Sequence, residues 1–542
     1  MHPALDRRTF LRASAVAAAA AATACAPSGV AARATTAAAT GRPVGSGPAS
    51  PGTASSGTGP AAAGSAPSAA SATGTVARTG ARGAPSPSDW SSLGRGLAGR
   101  LVRPGDASYD AARRLYNPSF DGIRPSGVAY CANPSDVAEC LAFARRLGVP
   151  VTSRSGGHSY AGWSTGTGLV IDVSRMNTVR ASSGRAVVGA GAQLVDVYDR
   201  LAARGVSIPA GSCPTVGVAG LTLGGGIGVV ARKYGLTCDV LESLQIVTAD
   251  GRVRTCDARH DPELYWASRG GGGGNFGVAV SFTFRTHHAQ DLTLFFLHWP
   301  WSRARKAVAA WQAWAPFAPD ALWSNLHLSQ DPSLDLQIGG VYVGPRAECE
   351  RLLEPLIAKI GSEPSSRYLT RTSYQHAMMI EAGCSSRTVS QCHRPGNLPG
   401  RTADGRFPRD AFGAKSHMAY RPLSASGVGT LVDRVARPGR HAVLLDALGG
   451  AVGRVKPGAT AFPHRAALFS VQYYAHMAGA AAWLRGAHGA MAPHFGDHAY
   501  VNYIDPALSG WRQAYYGANA TRLAKAKATY DPARLFRFPQ AI

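Results

Sequence analysis

Two glycine-rich stretches present the side chains of this chain best suited to forming bonds. The first is Arg154-Ser155-Gly156-Gly157-His158-Ser159-Tyr160, placed just after the apolar run that ends at Val151. The second, Gly211-Ser212-Cys213-Pro214-Thr215-Val216-Gly217-Val218-Ala219-Gly220, runs on into Leu221-Thr222-Leu223-Gly224-Gly225-Gly226. Paired glycines let a backbone fold tightly against a ligand, and free N–H groups in such a turn can cradle phosphate oxygens. Each loop also offers one nucleophile, the imidazole of His158 and the thiol of Cys213. A dinucleotide fingerprint is excluded, because no Gly-x-Gly-x-x-Gly links a strand to a helix ahead of an acidic ribose partner. Far along the chain, Val471-Gln472-Tyr473-Tyr474 and Tyr500-Val501-Asn502-Tyr503 add an amide and several phenols.

Taken together, the two loops resemble the flavin domain of the berberine-bridge-enzyme-like FAD-linked oxidases, which have the PCMH-type fold of the vanillyl-alcohol-oxidase superfamily. The resemblance implies FAD held by two covalent bonds, from His158 to the flavin 8α position and from Cys213 to C6. It implies further cofactor contacts from Arg154, Ser155, Gly156, Gly157, Ser159, Gly217, Gly220 and Gly277, each of which can equally serve a turn alone. Oxidation of an alcohol carbon needs a base for the hydroxyl proton and a hydride acceptor, here the flavin. In the family a tyrosine of a Tyr-x-Asn motif is that base, which Tyr500 and Asn502 match. Read as a strand, this segment puts Tyr500 and Asn502 on one face and Tyr503 on the other, favouring Tyr500 as the phenolate. A free tyrosine has a pKa of about 10, so charge or hydrogen bonds must tune it. Gln472 matches a family glutamine that reaches the substrate side. Ser470 stands where relatives often carry lysine, and Tyr374 is a further candidate from the substrate region.

The activity so implied is oxidation of a CH–OH carbon of a sugar or oligosaccharide, with O2 accepting the electrons and hydrogen peroxide released. A tailoring oxidase or dehydrogenase of a secondary metabolite is the other enzymatic reading. A flavin-binding envelope protein without activity is the third.

The elements that must position these residues alternate strand with helix. Strands are expected at 125–130, 149–152, 169–172, 186–191, 241–249 and 278–285. Helices follow at 109–117, 134–146 and 193–204, the second with apolar residues at helical spacing. Asp250-Gly251 reads as a hairpin turn. The alternation argues an α+β fold. By resemblance, residues 109–288 form the FAD-binding domain. Residues 289–497 form a substrate domain on an antiparallel sheet laid over the flavin, with 367–420 matching least well. Residues 498–542 then return to the FAD-binding domain.

At the N-terminus, Arg7-Arg8 precede an alanine-rich run of about a dozen residues, below the roughly 20 that span a bilayer, so residues 1–25 read as a Tat-type export signal. Cys25 is either a lipidated anchor or the position after plain cleavage. Residues 26–88 hold almost no large apolar side chain and are expected to be disordered. The chain carries a net charge of +24 and only seven lysines, so arginine dominates. No arginine block or nucleic-acid module accompanies that charge, and no nucleic-acid partner is expected. An exported chain can form disulfides, and Cys384 with Cys392 is a candidate pair. No Cys-x-x-Cys occurs and no metal is expected.

Overall fold

The computed structural model describes residues 84–476 and 479–542. The expected export signal, Cys25 and the expected linker up to residue 83 lie outside the described residues. The disorder expected to reach residue 88 gives way at Pro87, where the helix Pro87–Gly96 begins. Ser86 caps it: its hydroxyl accepts the Asp89 N–H at 3.2 Å while the Asp89 carboxylate accepts the Ser86 N–H at 3.0 Å. Trp90 packs on Phe143 of the helix Pro134–Leu147, with ring centroids 4.7 Å apart. That second helix is started by the Asn133 side chain and stopped by Gly148 in the left-handed region, at φ 69°.

Three sheets organise the chain. A four-stranded sheet runs Arg100–Val102, Gly127–Tyr130, Leu169–Asp172, Val151–Arg154, its last three strands parallel and its first an antiparallel edge. The Val151–Arg154 strand delivers the chain directly into the first glycine loop. A five-stranded antiparallel sheet follows, in the order Val179–Ser182, Arg185–Gly189, Val278–Arg285, Leu241–Val247, Val253–Cys256. Its last two strands are the expected hairpin around Asp250-Gly251.

The third sheet has seven antiparallel strands, in the order Ser366–Thr372, Leu292–Trp299, Leu334–Tyr342, Leu322–Gln330, His441–Ala447, Phe469–His476, Phe412–Ala419. Period-two alternation gives it two unlike faces. Leu322, Leu326 and Leu328 bury one face against the helices Ala304–Gln312, Arg346–Ile360, Ala425–Val435 and Ala480–Phe495. The intervening Trp323 and Asn325 point to the opposite face, toward the glycine loops. The combination of mixed and antiparallel sheets with helices is the expected α+β class.

The C-terminal segment closes on the glycine loops. Lys527, at the end of the helix Ala520–Tyr530, is 1% exposed, and its ammonium donates to Asn275 O, Phe536 O and the Asp531 carboxylate. Tyr516 donates to Gly271 O, and the Ile542 N–H donates to Asn275 Oδ1. Among the described residues a disulfide joins Cys384 to Cys392, as the sequence suggested. Among the described residues, no helix is long and apolar enough to cross a membrane.

Candidate functional site

A cavity of about 500 Å³ lies between the glycine loops and the open face of the seven-stranded sheet. Its loop side contains Arg154, Ser155, Gly156, Gly157, His158, Ser159, Cys213, Gly217, Gly220 and Gly277, so every cofactor residue expected from the sequence reaches this one space. The two loops touch backbone to backbone. A Cβ on Gly156 would lie 2.2 Å from the Gly217 nitrogen, and one on Gly217 would lie 2.0 Å from Ser155 Oγ. Only glycine permits that approach. Gly220 is different: a Cβ there would meet nothing within 4 Å, which leaves the cavity space beside it clear for a ligand.

Beneath the first loop, Arg154 forms a buried ion pair with Asp172, and its Nη1 has no hydrogen-bond partner among the described residues. Ser155 Oγ donates to Ala190 O at 2.6 Å, and Ser159 Oγ accepts the Trp163 N–H at 3.1 Å. These bonds pin the loop while leaving its glycine backbone facing the cavity. His158 Nε2 lies 2.8 Å from Thr215 Oγ1 on the second loop, and its ring stacks on Tyr116 at 4.1 Å. Burial, with the nearby charge of Arg394, lowers the imidazole pKa to about 3, so the ring is neutral and keeps a nucleophilic lone pair. Cys213 is disulfide-bonded.

The sheet side is mostly polar. Trp323, Asn325, Leu444, Asp446, Gln472 and Tyr474 come from three adjacent strands, at positions of the same parity on each. Asn325 lies directly opposite Asp446 across the ladder, and Asp446 directly opposite Ser470. Ser470 Oγ donates to Asp446 Oδ2 at 3.2 Å, and the Gln472 side chain also bonds this carboxylate. Burial raises the Asp446 pKa to about 6. Glu381, the last residue of the helix Tyr374–Glu381, opens on the same space, and burial together with the Asp446 charge raises it to about 8. Tyr160 donates to Gln472 Oε1 at 3.2 Å and stacks on Tyr503 at 5.6 Å.

The phenol expected to act as base is placed otherwise. Val501–Tyr503 is a 3₁₀ turn and not a strand, so the alternation argument for Tyr500 does not apply. In such a turn residues three apart eclipse, and the Tyr500 and Tyr503 rings meet edge to face at 4.9 Å. Tyr503 and Asn502 line the cavity, whereas Tyr500 is buried behind its wall at 1% exposure. The Tyr500 oxygen accepts the Gly226 N–H at 2.8 Å and an Asn502 Nδ2–H at 2.9 Å. The Tyr-x-Asn pairing thus exists, as a brace under the glycine loop. Tyr374 packs against Tyr198 and His287 away from the cavity. Sequence reasoning missed Asp446, Glu381, Trp323, Asn325 and Tyr160. The signal available for the sheet residues was a polar or aromatic side chain recurring at every second position of otherwise apolar strands.

An FAD binding domain family model matches residues 125–257, and a "Berberine and berberine like" model matches residues 499–542. The FAD-linked oxidoreductase YgaK of Bacillus subtilis is 35% identical over 462 residues, covering 82% of this chain and 97% of its own. Chitooligosaccharide oxidase of Gibberella zeae is 29% identical, covering 81% and 91%. Among solved structures, Physcomitrella patens BBE-like 1 superposes with a TM-score of 0.77 at 30% identity, covering 84% of this chain and 98% of that one. The chain belongs to the berberine-bridge-enzyme-like family of FAD-linked oxidoreductases. The cradle suits that cofactor: paired loops with no side chain at their contact, a clear space beside Gly220, and an unpartnered guanidinium nitrogen behind the loop.

Proposed function

We propose that this protein is an oxidase that removes hydride from a CH–OH carbon of a sugar, an oligosaccharide or a similar polar alcohol, with O2 as the final acceptor. The observation that carries the reading is Asp446, a carboxylate opening on the same cavity as His158 and the glycine cradle. A bound flavin supplies the two-electron acceptor, and dioxygen takes the pair on as hydrogen peroxide.

The chain's own residues supply the proton chemistry. Burial holds Tyr503 protonated, and Glu381 carries a proton up to about pH 8, whereas Asp446 is ionised above about pH 6. Asp446 is therefore the group of this wall suited to accept the substrate hydroxyl proton near neutrality. Ser470 and Gln472 orient it, so the lysine that relatives place at position 470 is not needed here to activate a phenol. Tyr500, with Asn502, holds the Gly224–Gly226 turn in place from behind.

His158 and Cys213 are the residues that would attach the flavin covalently. His158 is ready as a neutral imidazole. Cys213 would attach it only as the free thiol, once an external thiol reductant has opened its disulfide. The likeness to a chitooligosaccharide oxidase supports a carbohydrate substrate. The aromatic lining from Trp323, Tyr160 and Tyr503 favours, as a second reading, a flat secondary metabolite. The Arg7-Arg8 signal adds a location, with the folded chain exported and Cys25 either lipidated or left by cleavage.

Acid denaturation followed by peptide mass measurement tests attachment: flavin is expected on the His158 peptide, and flavin released entirely into solution refutes covalent holding. A peroxide assay over mono- and oligosaccharides tests the reaction. Peroxide from other alcohols but from no sugar removes the carbohydrate reading, and no peroxide from any alcohol removes the oxidase.

A further inference from the structure

Six carboxylates are buried among the described residues, and four of them have fixed counter-groups. Asp172, Asp505 and Asp531 pair with Arg154, Lys415 and Lys527. Asp136 accepts three backbone N–H groups, from Ala98, Gly99 and Ala132, at 2.8 to 2.9 Å. The two exceptions are Asp446 and Glu381, and both open on the cavity. Glu381 is 8% exposed, and its Oε1 has no hydrogen-bond partner among the described residues. In a chain with a net charge of +24 this is a marked departure. A buried carboxyl must be compensated by a proton, a cation or hydrogen bonds.

Three further features of this corner favour a cation. Glu381 ends its helix, where the last backbone carbonyls add negative potential. The rings of Trp323, Tyr160, Tyr474 and Tyr503 line the same cavity, and aromatic rings attract a positive charge. An ammonium group brings three N–H donors and no acceptor, which matches an acceptor lacking a donor.

We propose that this corner receives a protonated amine, so that the alcohol or sugar oxidised here carries a basic nitrogen, as an amino sugar or an amino alcohol does. The inference rests on the reading of the sheet side as the substrate side. It assigns Glu381 a binding role, with Asp446 kept for the proton of the reacting hydroxyl. Without a ligand, Glu381 holds a proton at neutral pH, because burial and the Asp446 charge raise it to about 8. An ammonium ligand displaces that proton. Amine affinity therefore rises from pH 6 through 8 and falls once the amine itself deprotonates, at roughly pH 9–10 for an alkyl ammonium.

The test titrates the flavin-loaded protein with benzylamine and with benzyl alcohol, reading the flavin difference spectrum from pH 6 to 9. At pH 8 the amine is expected to bind roughly tenfold or more tightly, one power of ten being about 1.4 kcal/mol. Glu381→Gln, which keeps the shape of the side chain, abolishes that preference and leaves benzyl alcohol affinity within about twofold. A thermal scan of E381Q verifies that it is folded. Equal affinity of the two probes for the wild type, no response to either, or a preference unchanged in E381Q each overturns the proposal. Binding is read without turnover, which separates this inference from the oxidase reading. An amine preference with no peroxide from any alcohol defeats only the oxidase, and peroxide from neutral sugars with no amine preference defeats only the amine.

Discussion

Replacing Tyr500 with Phe separates a brace from a base. The phenol oxygen has two donors aimed at it, the Gly226 N–H at 2.8 Å and Asn502 Nδ2 at 2.9 Å, inside a residue that is 1% exposed. Phe fills the same volume but accepts neither bond. Asn502 keeps its other hydrogen on Leu221 O at 3.0 Å, so it loses half of its bonding. The Gly226 N–H is left with no acceptor for that contact. A buried polar group stripped of its partner costs about 1–3 kcal/mol, so the loss is roughly 2–4 kcal/mol when the Asn502 amide counts at the low end. Paired thermal scans and anaerobic flavin reduction, the latter followed against pH, measure the two effects separately. A melting point several degrees lower is expected, with reduction slowed less than about tenfold and an unshifted pH profile, because no proton acceptor has been removed. The reasoning is refuted if Y500F melts with the wild type yet reduces its flavin about a hundredfold more slowly, since Tyr500 would then be the base.

Asp446→Asn should slow flavin reduction by about 10²–10⁴-fold and abolish the rise in rate through about pH 6, with bound flavin unaltered in absorbance; a retained acid limb would move the base elsewhere. Gly156→Ala places a Cβ 2.2 Å from the Gly217 nitrogen, so the loops must part at a cost of about 1–3 kcal/mol, and the purified protein should hold substoichiometric flavin by absorbance. Lys527→Met leaves the buried Asp531 carboxylate with only the Leu535 and Phe536 N–H groups to compensate it and should destabilise by about 3–5 kcal/mol in thermal unfolding, while a neutral result would mean that these bonds and water replace the ammonium. His327 and His464 are lowered by burial to about 4 and about 3 in the folded chain. Their stability contribution is complete above about pH 6.5 and is lost as pH falls below it, at about 1.4 kcal/mol per pH unit for each proton taken up only on unfolding. Melting points measured from pH 7.5 to 5 should therefore drop, and a flat profile would argue against neutral buried imidazoles.

The parts legible in the sequence share one property: their chemistry is local. Two glycine loops, the Asn133 cap, the Asp250-Gly251 turn and the close pair Cys384 and Cys392 each declare themselves within a few residues. The loops could be joined into one cradle without knowing the fold only through their resemblance to the flavin domain of the family, in which His158 and Cys213 match the attachment positions. The strand reading of the Tyr500 segment failed for the corresponding reason. The Tyr500 side-chain direction depends on whether Val501–Tyr503 is extended or a 3₁₀ turn, and a three-residue segment carries too little period to decide. Asp446 and Glu381 were hidden more deeply. Asp446 comes from a strand whose buried face is apolar, and Glu381 from a helix in the region least readable in the sequence. Neither shows that it will lack a counter-charge, since a missing partner is a property of the assembled cavity alone.

That contrast bears on how the two sides of the cavity divide their tasks. The loop side is built from backbone, and a backbone surface recognises features common to every molecule of the cofactor: phosphates and a flat ring. Its residues can change little, since at Gly156 and Gly217 even a methyl group collides with main chain. The sheet side is built from side chains on a ladder that is fixed by hydrogen bonds running across it. Exchanging Asn325, Leu444 or Gln472 alters what the cavity admits without altering how the strands pair. On the proposed reading of this cavity, substrate choice resides in the sheet residues and Glu381. A chimera carrying only those side chains from the chitooligosaccharide oxidase should shift substrate preference while its flavin content stays at that of the parent. Loss of flavin in that chimera would show that the two sides are not independent, and the division of labour would fail with it.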